Sequence, residues 1–205
     1  MRAPIIRGLC TVVVGAAIVP LGLAGTAGAT ASPPCRAQNA TVYVVNQGSG
    51  TVTPIRTATN TAGKPITFGQ GPQVIAITPN GKTAYVASPS ADTVTPIRTA
   101  TNKAGQPIKV GKDPFDLAIT PNGKVVEVVN QLSNTVTPIL TVTNRAGQPI
   151  PVGIRPWAVA ITLDSRTAYV VNNGSNTVTP VSIVTGKAGQ PISAGSAPVA
   201  VAIMR

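Results

Sequence analysis

Side chains able to do chemistry are few in this 205-residue chain, and they are scattered. Histidine, the commonest general base and haem ligand, does not occur. Two cysteines, Cys10 and Cys35, cannot build a zinc site without histidine partners. The five acids are Asp92, Asp113, Asp116, Glu127 and Asp164, and only Asp113 and Asp116 fall close together. Calcium wants six or more oxygens, so that pair supplies a fraction of a site. The better reading of Asp116 is a cap on the strand that follows it. No serine has a histidine to activate it. The expectation is a non-enzymatic protein, with no catalytic residue, no cofactor and no metal assigned.

Other motifs reduce to structure. Gly48-Ser49-Gly50 and Gly69-Gln70-Gly71 do not stand between a strand and a helix, so they read as turns and not as phosphate cradles. Phe115 and Trp157 occupy matching positions and are the best candidates for stacking on a sugar ring. Six aromatic residues in the whole chain are few for such a platform, and packing is the favoured role for both.

The elements that position these residues repeat. Tyr43–Asn46 (YVVN), Tyr85–Ser88 (YVAS), Glu127–Asn130 (EVVN) and Tyr169–Asn172 (YVVN) begin 42 positions apart each time. Each is followed at a fixed offset by TVTP and then by a Gly-x-Pro-Ile segment. One unit reads as four strands. An apolar run, Pro114–Lys124, ends in an Asn-Gly hairpin; VVEVVN follows at Val125–Asn130, then TVTPILTVT at Thr135–Thr143, then QPIPV at Gln148–Val152. No stretch shows a helical apolar period. Four short antiparallel strands in a repeat of about 40–45 residues form the blade of a β-propeller.

The copies are out of phase with the blades. The chain opens on second, third and fourth strands (Thr41–Asn46, Thr51–Thr57, Lys64–Phe68), runs through three full units, and then gives a solitary first strand, Ala197–Met204. The expected fold is all-β, a propeller of four four-stranded blades over residues 41–205, with Ala197–Met204 completing the first blade and closing the ring. Pro54, Pro96, Pro138 and Pro180 fall inside every third strand, where a ladder donor is normally needed. Either the fourth strand pairs only partly there, or a bulge turns that position outward.

The Tyr-Val-x-Asn starts, the Asn-Thr-Val that follows (Asn134–Val136, Asn176–Val178), the Thr-Asn turns (Thr59-Asn60, Thr101-Asn102, Thr143-Asn144) and the Thr-Pro-Asn-Gly hairpins (Thr78–Gly81, Thr120–Gly123) resemble the YVTN β-propeller repeat family. The resemblance covers Thr41–Ile203. Ser88, Glu127 and the turn Leu163-Asp164-Ser165 depart from its pattern. It implies exported or surface proteins of seven blades, mostly without assigned activity, related to lactonase-like enzymes and haem-d1-binding domains. Seven blades at this period need roughly 300 residues. The chain is therefore a compact closed variant, half of a dimeric eight-blade ring, or a relic of something longer.

Residues 1–31 read as a secretory signal peptide: Arg2 and Arg7, an apolar run from Gly8 to Gly25, and small residues offering cleavage after Ala29 or Ala31. Pro20 and the glycines argue against a transmembrane anchor. Residues 32–40 form a short linker. Cleavage would leave Cys35 as the one thiol, with no internal disulfide. The expected location is secreted, extracellular or cell-envelope associated.

Sixteen Lys and Arg stand against five acids, a net charge of +11. In a propeller the hairpins following the first and third strands share one face. That face would receive Arg56, Lys64, Lys82, Arg98, Lys103, Lys124, Arg145, Arg166 and Lys187, opposed by Asp164. The other face would receive Lys112 and Arg155 with Asp92, Asp113 and Asp116. Such a field suits an anionic cell-wall polymer. Copying of a tolerated lysine by the repeat explains the same pattern equally well. The expectation is a binding or scaffold module partnered by such a polymer or by another surface protein, with no nucleic acid and with a homodimer compatible. A lactonase-like or other hydrolytic propeller, or a truncated propeller working only as an oligomer, are the alternatives.

Overall fold

The computed structural model describes residues 40–69 and 71–204. The proposed signal peptide, Cys10, Cys35 and all but the end of the linker lie outside the described residues. Every sheet is antiparallel, and there are four of them. Blade 1 holds β1 (Thr41–Asn46), β2 (Thr51–Arg56), β3 (Thr61–Ala62) and β4 (Ile66–Thr67). Blade 2 holds β5 (Val74–Ile77), β6 (Thr83–Ser88), β7 (Thr93–Arg98), β8 (Lys103–Ala104) and β9 (Ile108–Lys109). Blade 3 holds β10 (Pro114–Ile119), β11 (Val125–Asn130), β12 (Thr135–Leu140), β13 (Arg145–Ala146) and β14 (Ile150–Pro151). Blade 4 holds β15 (Pro156–Ile161), β16 (Thr167–Asn172), β17 (Thr177–Ser182), β18 (Lys187–Ala188) and β19 (Ile192–Ser193). The all-β propeller architecture of four blades thus stands. No helix among the described residues is long and apolar enough to cross a membrane.

The expected single fourth strand is two short pieces, and the proline is the reason. In blade 3, β13 pairs with Leu140 and Ile139, and β14 pairs with Val136 and Thr135. Between them Gly147 N–H donates to the Pro138 carbonyl at 2.7 Å. A residue's N and O point to the same side of a strand, so the donor that Pro138 lacks would have faced this gap. The inner ladder is untouched, and Glu127 sits opposite Pro138 in an unbroken register. Partial pairing, and not a bulge, is how the chain accommodates its four prolines. A Cβ on Gly147 would lie 3.1 Å from Pro138 Cγ, and Gly63, Gly105 and Gly189 repeat that close approach to their own prolines.

The cores lie between blades. Val52 and Ile66 of blade 1 pack with Ala84, Val86 and Ile97 of blade 2. Tyr85, Ala87, Val94 and Ile108 of blade 2 pack with Leu117, Val126, Val128 and Ile139 of blade 3. Val129, Val136 and Ile150 of blade 3 pack with Val159, Ala168, Val170 and Val181 of blade 4. Each blade therefore buries its apolar surface only against its neighbours, as stacked repeats do.

The expected closing strand is not there. Ala197–Met204 forms no strand, and among the described residues blade 1 has no inner strand beside β1. Its hydrogen bonds among the described residues lie at its start and go to blade 4: Ala197 N–H donates to Asn176 Oδ1 at 2.8 Å, and Asn173 Nδ2 donates to the Pro198 carbonyl at 3.2 Å. Beyond Pro198 it is partly or fully exposed. The side chains wedged between sheets set the step from one blade to the next, and the three steps leave blades 1 and 4 unjoined.

Candidate functional site

The antiparallel register gathers most of the predicted cations at one end of the blades. In blade 2, Thr83 pairs with Arg98 and Arg98 with Lys103, so these two and Lys82 meet at one corner. Blade 3 brings Lys124 and Arg145 to the same place on either side of Leu140, and blade 4 does so with Arg166 and Lys187 around Ser182. Arg56 ends β2 opposite Thr61. Lys64 is different. It falls in the gap between β3 and β4, on the outer rim beside Pro54. All nine side chains are exposed. Asp164, the acid on this side, spends its Oδ1 on Thr162 Oγ1 (2.6 Å) and on the Arg166 backbone N–H (3.0 Å). Those hydrogen bonds, led by the Thr162 hydroxyl, hold its carboxyl below the usual range.

A cleft of about 720 Å³ opens at this end, walled by Lys82, Arg98 and Lys103, with Thr99, Thr101 and Asn144 adding polar atoms. Its walls come from blade 2 and, through Asn144, from blade 3. Asn144 is held in place by a hook between the blades, since Tyr85 Oη donates to Asn144 Oδ1 at 2.7 Å. Tyr43 Oη makes the same bond to Asn102 Oδ1 at 2.5 Å. Burial pushes both phenols up, so they remain donors. Asn60, Asn102 and Asn144 all adopt a left-handed backbone, which asparagine tolerates well. Three cations and several hydroxyl and amide groups in one concave site suit an anionic ligand.

The remaining candidates are structural. Asp116 Oδ1 accepts from Leu117 N–H (2.9 Å), and its Oδ2 accepts from Val159 N–H of the next blade (3.0 Å). Asp116 therefore does not cap the start of a strand, since it lies inside β10 just past the bulge; its carboxylate ties that strand to the next blade, and its pKa is raised by burial against the opposing pull of those two bonds. Asp113 N–H is fixed by Asp92 Oδ1 at 2.9 Å. No cluster of three or more metal-ligating side chains forms among the described residues. Phe115 and Trp157 sit on matching bulges of β10 and β15 and pack on each other, with ring centroids 4.5 Å apart. The YVxN asparagines clamp the threonines that follow: Asn172 Nδ2 reaches Thr177 Oγ1 and Thr179 Oγ1 at 3.0 and 2.8 Å, and Asn130 does likewise to Thr135 and Thr137.

Sequence reasoning missed the Tyr–Asn hook and what replaces it. The partners stand 59 positions apart. The next pair at that spacing is Glu127 and Gly186, so both members change at one interface. Glu127 is 1% exposed, and its Oε2 has no hydrogen-bond partner among the described residues. Desolvation pushes its carboxyl up to about 7.

Comparison with solved structures finds the same architecture in larger proteins. The chain superposes on Kuenenia stuttgartiensis hydrazine synthase with a TM-score of 0.70 and 24% identity, covering 74% of this chain and 45% of that one. Virginiamycin B lyase of Staphylococcus aureus gives 0.65 and 11%, over 76% and 53%. A 6-phosphogluconolactonase-like protein of Bacteroides uniformis gives 0.66 and 18%, over 78% and 53%. The chain spans about half the length of these structures. No curated protein matches it by sequence. The YNCE-like beta-propeller family matches residues 3–126, and the chain belongs to that family.

Proposed function

We propose that this protein is an exported, non-enzymatic binding module whose basic end docks on anionic cell-envelope polymer. The carrying observation is the cleft in which Lys82, Arg98 and Lys103 converge, flanked by the cations of blades 3 and 4. Repeated phosphates or carboxylates on a polymer would meet one cationic corner per blade. The attraction is electrostatic and falls with salt.

Co-sedimentation with purified cell walls rich in phosphate polymer tests this. Binding is expected at low salt and is lost at high salt. The triple reversal Lys82→Glu/Arg98→Glu/Lys103→Glu abolishes it, whereas Lys112→Glu/Arg155→Glu at the other end leaves it intact. Salt-independent binding, or none, removes the proposal. The similarity to a lactonase-like propeller supports a competing hydrolytic reading, centred on Asp113 and Asp116 at the opposite end from the cleft. Metal-dependent turnover of a lactone panel, lost in Asp113→Ala or Asp116→Ala, would favour it.

A further inference from the structure

Three interblade cores join four blades, and the two outermost blades are each left with half of a fourth. On blade 4, Ile192 is 53% exposed, whereas its counterparts Ile66, Ile108 and Ile150 are 6–8% exposed. On blade 1, Val42 and Val44 are 48% and 39% exposed, whereas Ala84, Val86, Val126, Val128, Ala168 and Val170 at the same positions are fully buried. The hook is divided in the same way. Tyr169 has the position of Tyr43 and Tyr85, and Asn60 has that of Asn102 and Asn144. Among the described residues neither Tyr169 nor Asn60 makes a side-chain hydrogen bond. The backbone is divided too: among the described residues β1 has no strand on its inner edge, and Ala197–Met204 carries the inner-strand sequence outside every sheet.

We propose that blade 4 of one molecule docks on blade 1 of a second copy, with Ala197–Met204 added to β1 of that copy as its missing inner strand. In blade 2, β5 pairs with β6 as Val74↔Ala87, Ile75↔Val86, Ala76↔Tyr85 and Ile77↔Ala84. Carried over by the 42-residue repeat, the exchanged strand pairs Ala200 with Val45, Val201 with Val44, Ala202 with Tyr43 and Ile203 with Val42. Val201 then covers Val44 as Ile75 covers Val86. Tyr169 of each copy donates to Asn60 of the other. A second copy is the fitting occupant because four blades cover only 45–53% of the larger propellers they superpose on. Because the four blades span about half of such a chain, their two open ends stay unpaired within one molecule, and a two-fold axis would bring them together between two. The contact is reciprocal, uses both open ends, and closes an eight-blade ring in which every blade has its inner strand.

Light scattering on the purified full chain should give a mass twice that of one chain. Ala202→Pro removes a ladder donor from a segment outside every sheet, and should give a monomer whose far-UV circular dichroism is unchanged. In a Cys10→Ser/Cys35→Ser background, Val45→Cys/Ala200→Cys should oxidise to a covalent dimer that reduction dissolves. A monomer at all concentrations, polymers beyond the dimer, or a disulfide formed within one chain would each overturn the proposal. So would a double-cysteine protein that stays reduced under oxidising conditions.

Discussion

Replacing Glu127 by glutamine should remove most of the pH dependence of stability between pH 4.5 and 8. The carboxyl sits in the wall between blades 3 and 4, opposite Pro138 on one side and Ala118 on the other, with no hydrogen-bond partner for Oε2 among the described residues. Its folded pKa of about 7 lies above the ordinary 4.5. The folded state therefore holds the proton more tightly, and its stability is full below pH 4.5 and falls as pH rises through 7. That gap, at about 1.4 kcal/mol per pH unit, amounts to about 3 kcal/mol. Urea midpoints should fall by roughly 1–2 M between pH 4.5 and 8 for the parent protein. Asp116, also raised by burial, adds a contribution of the same sign, so the difference between parent and variant is the quantity to read. Glu127→Gln keeps the shape and cannot ionise. Its amide still wants an acceptor, which costs about 1 kcal/mol, so the variant should match or slightly trail the parent at pH 4.5 and exceed it by about 2 kcal/mol at pH 8. Equal slopes in parent and variant would refute the reasoning.

Tyr85→Phe should cost about 1 kcal/mol, the net value of its bond to Asn144, measured by urea unfolding at constant pH. Glu127→Tyr combined with Gly186→Asn should restore the hook at the third interface. Gly186 already has φ 64, close to the 51–53° of Asn60, Asn102 and Asn144, so a double-mutant cycle should show favourable coupling of about 1 kcal/mol. Gly147→Val drives a side chain into the Pro138 ring, and thermal unfolding should show a loss of about 1–3 kcal/mol, relieved in part by Pro138→Ala.

Period and phase were legible because a strand exposes its pattern directly: alternation, Asn-Gly turns and a fixed offset are local facts. Blade number and strand order followed. The closing strand did not, although Ala197–Met204 carries the right residues. Whether a segment reaches a distant edge depends on the angle between blades, and that angle is set by packing of Tyr85, Ile97, Val128 and their equals, which no local pattern reports. The proline question needed the structure for the same reason: the side to which Pro138 lacks a donor is a matter of sheet geometry. Lys64 shows the limit for the basic end. It was placed with the loops, and the split fourth strand carried it to the rim. The Tyr–Asn hook was readable in principle, since Tyr43, Tyr85, Asn102 and Asn144 keep one spacing. It went unread because the pair belongs to two different units, and comparison of copies looks within a unit.

Because apolar surface is shared across each boundary and never kept within a single sheet, length in this architecture is quantised. Excising 42 consecutive residues, or a multiple of 42, keeps the seams in phase, while a cut of any other size leaves mismatched halves. Genes for such arcs can lengthen or shorten by recombination between their own copies and still encode something that folds. Seam chemistry need not be copied with the blades: Glu127 and Gly186 stand where the other two seams carry the Tyr–Asn hook.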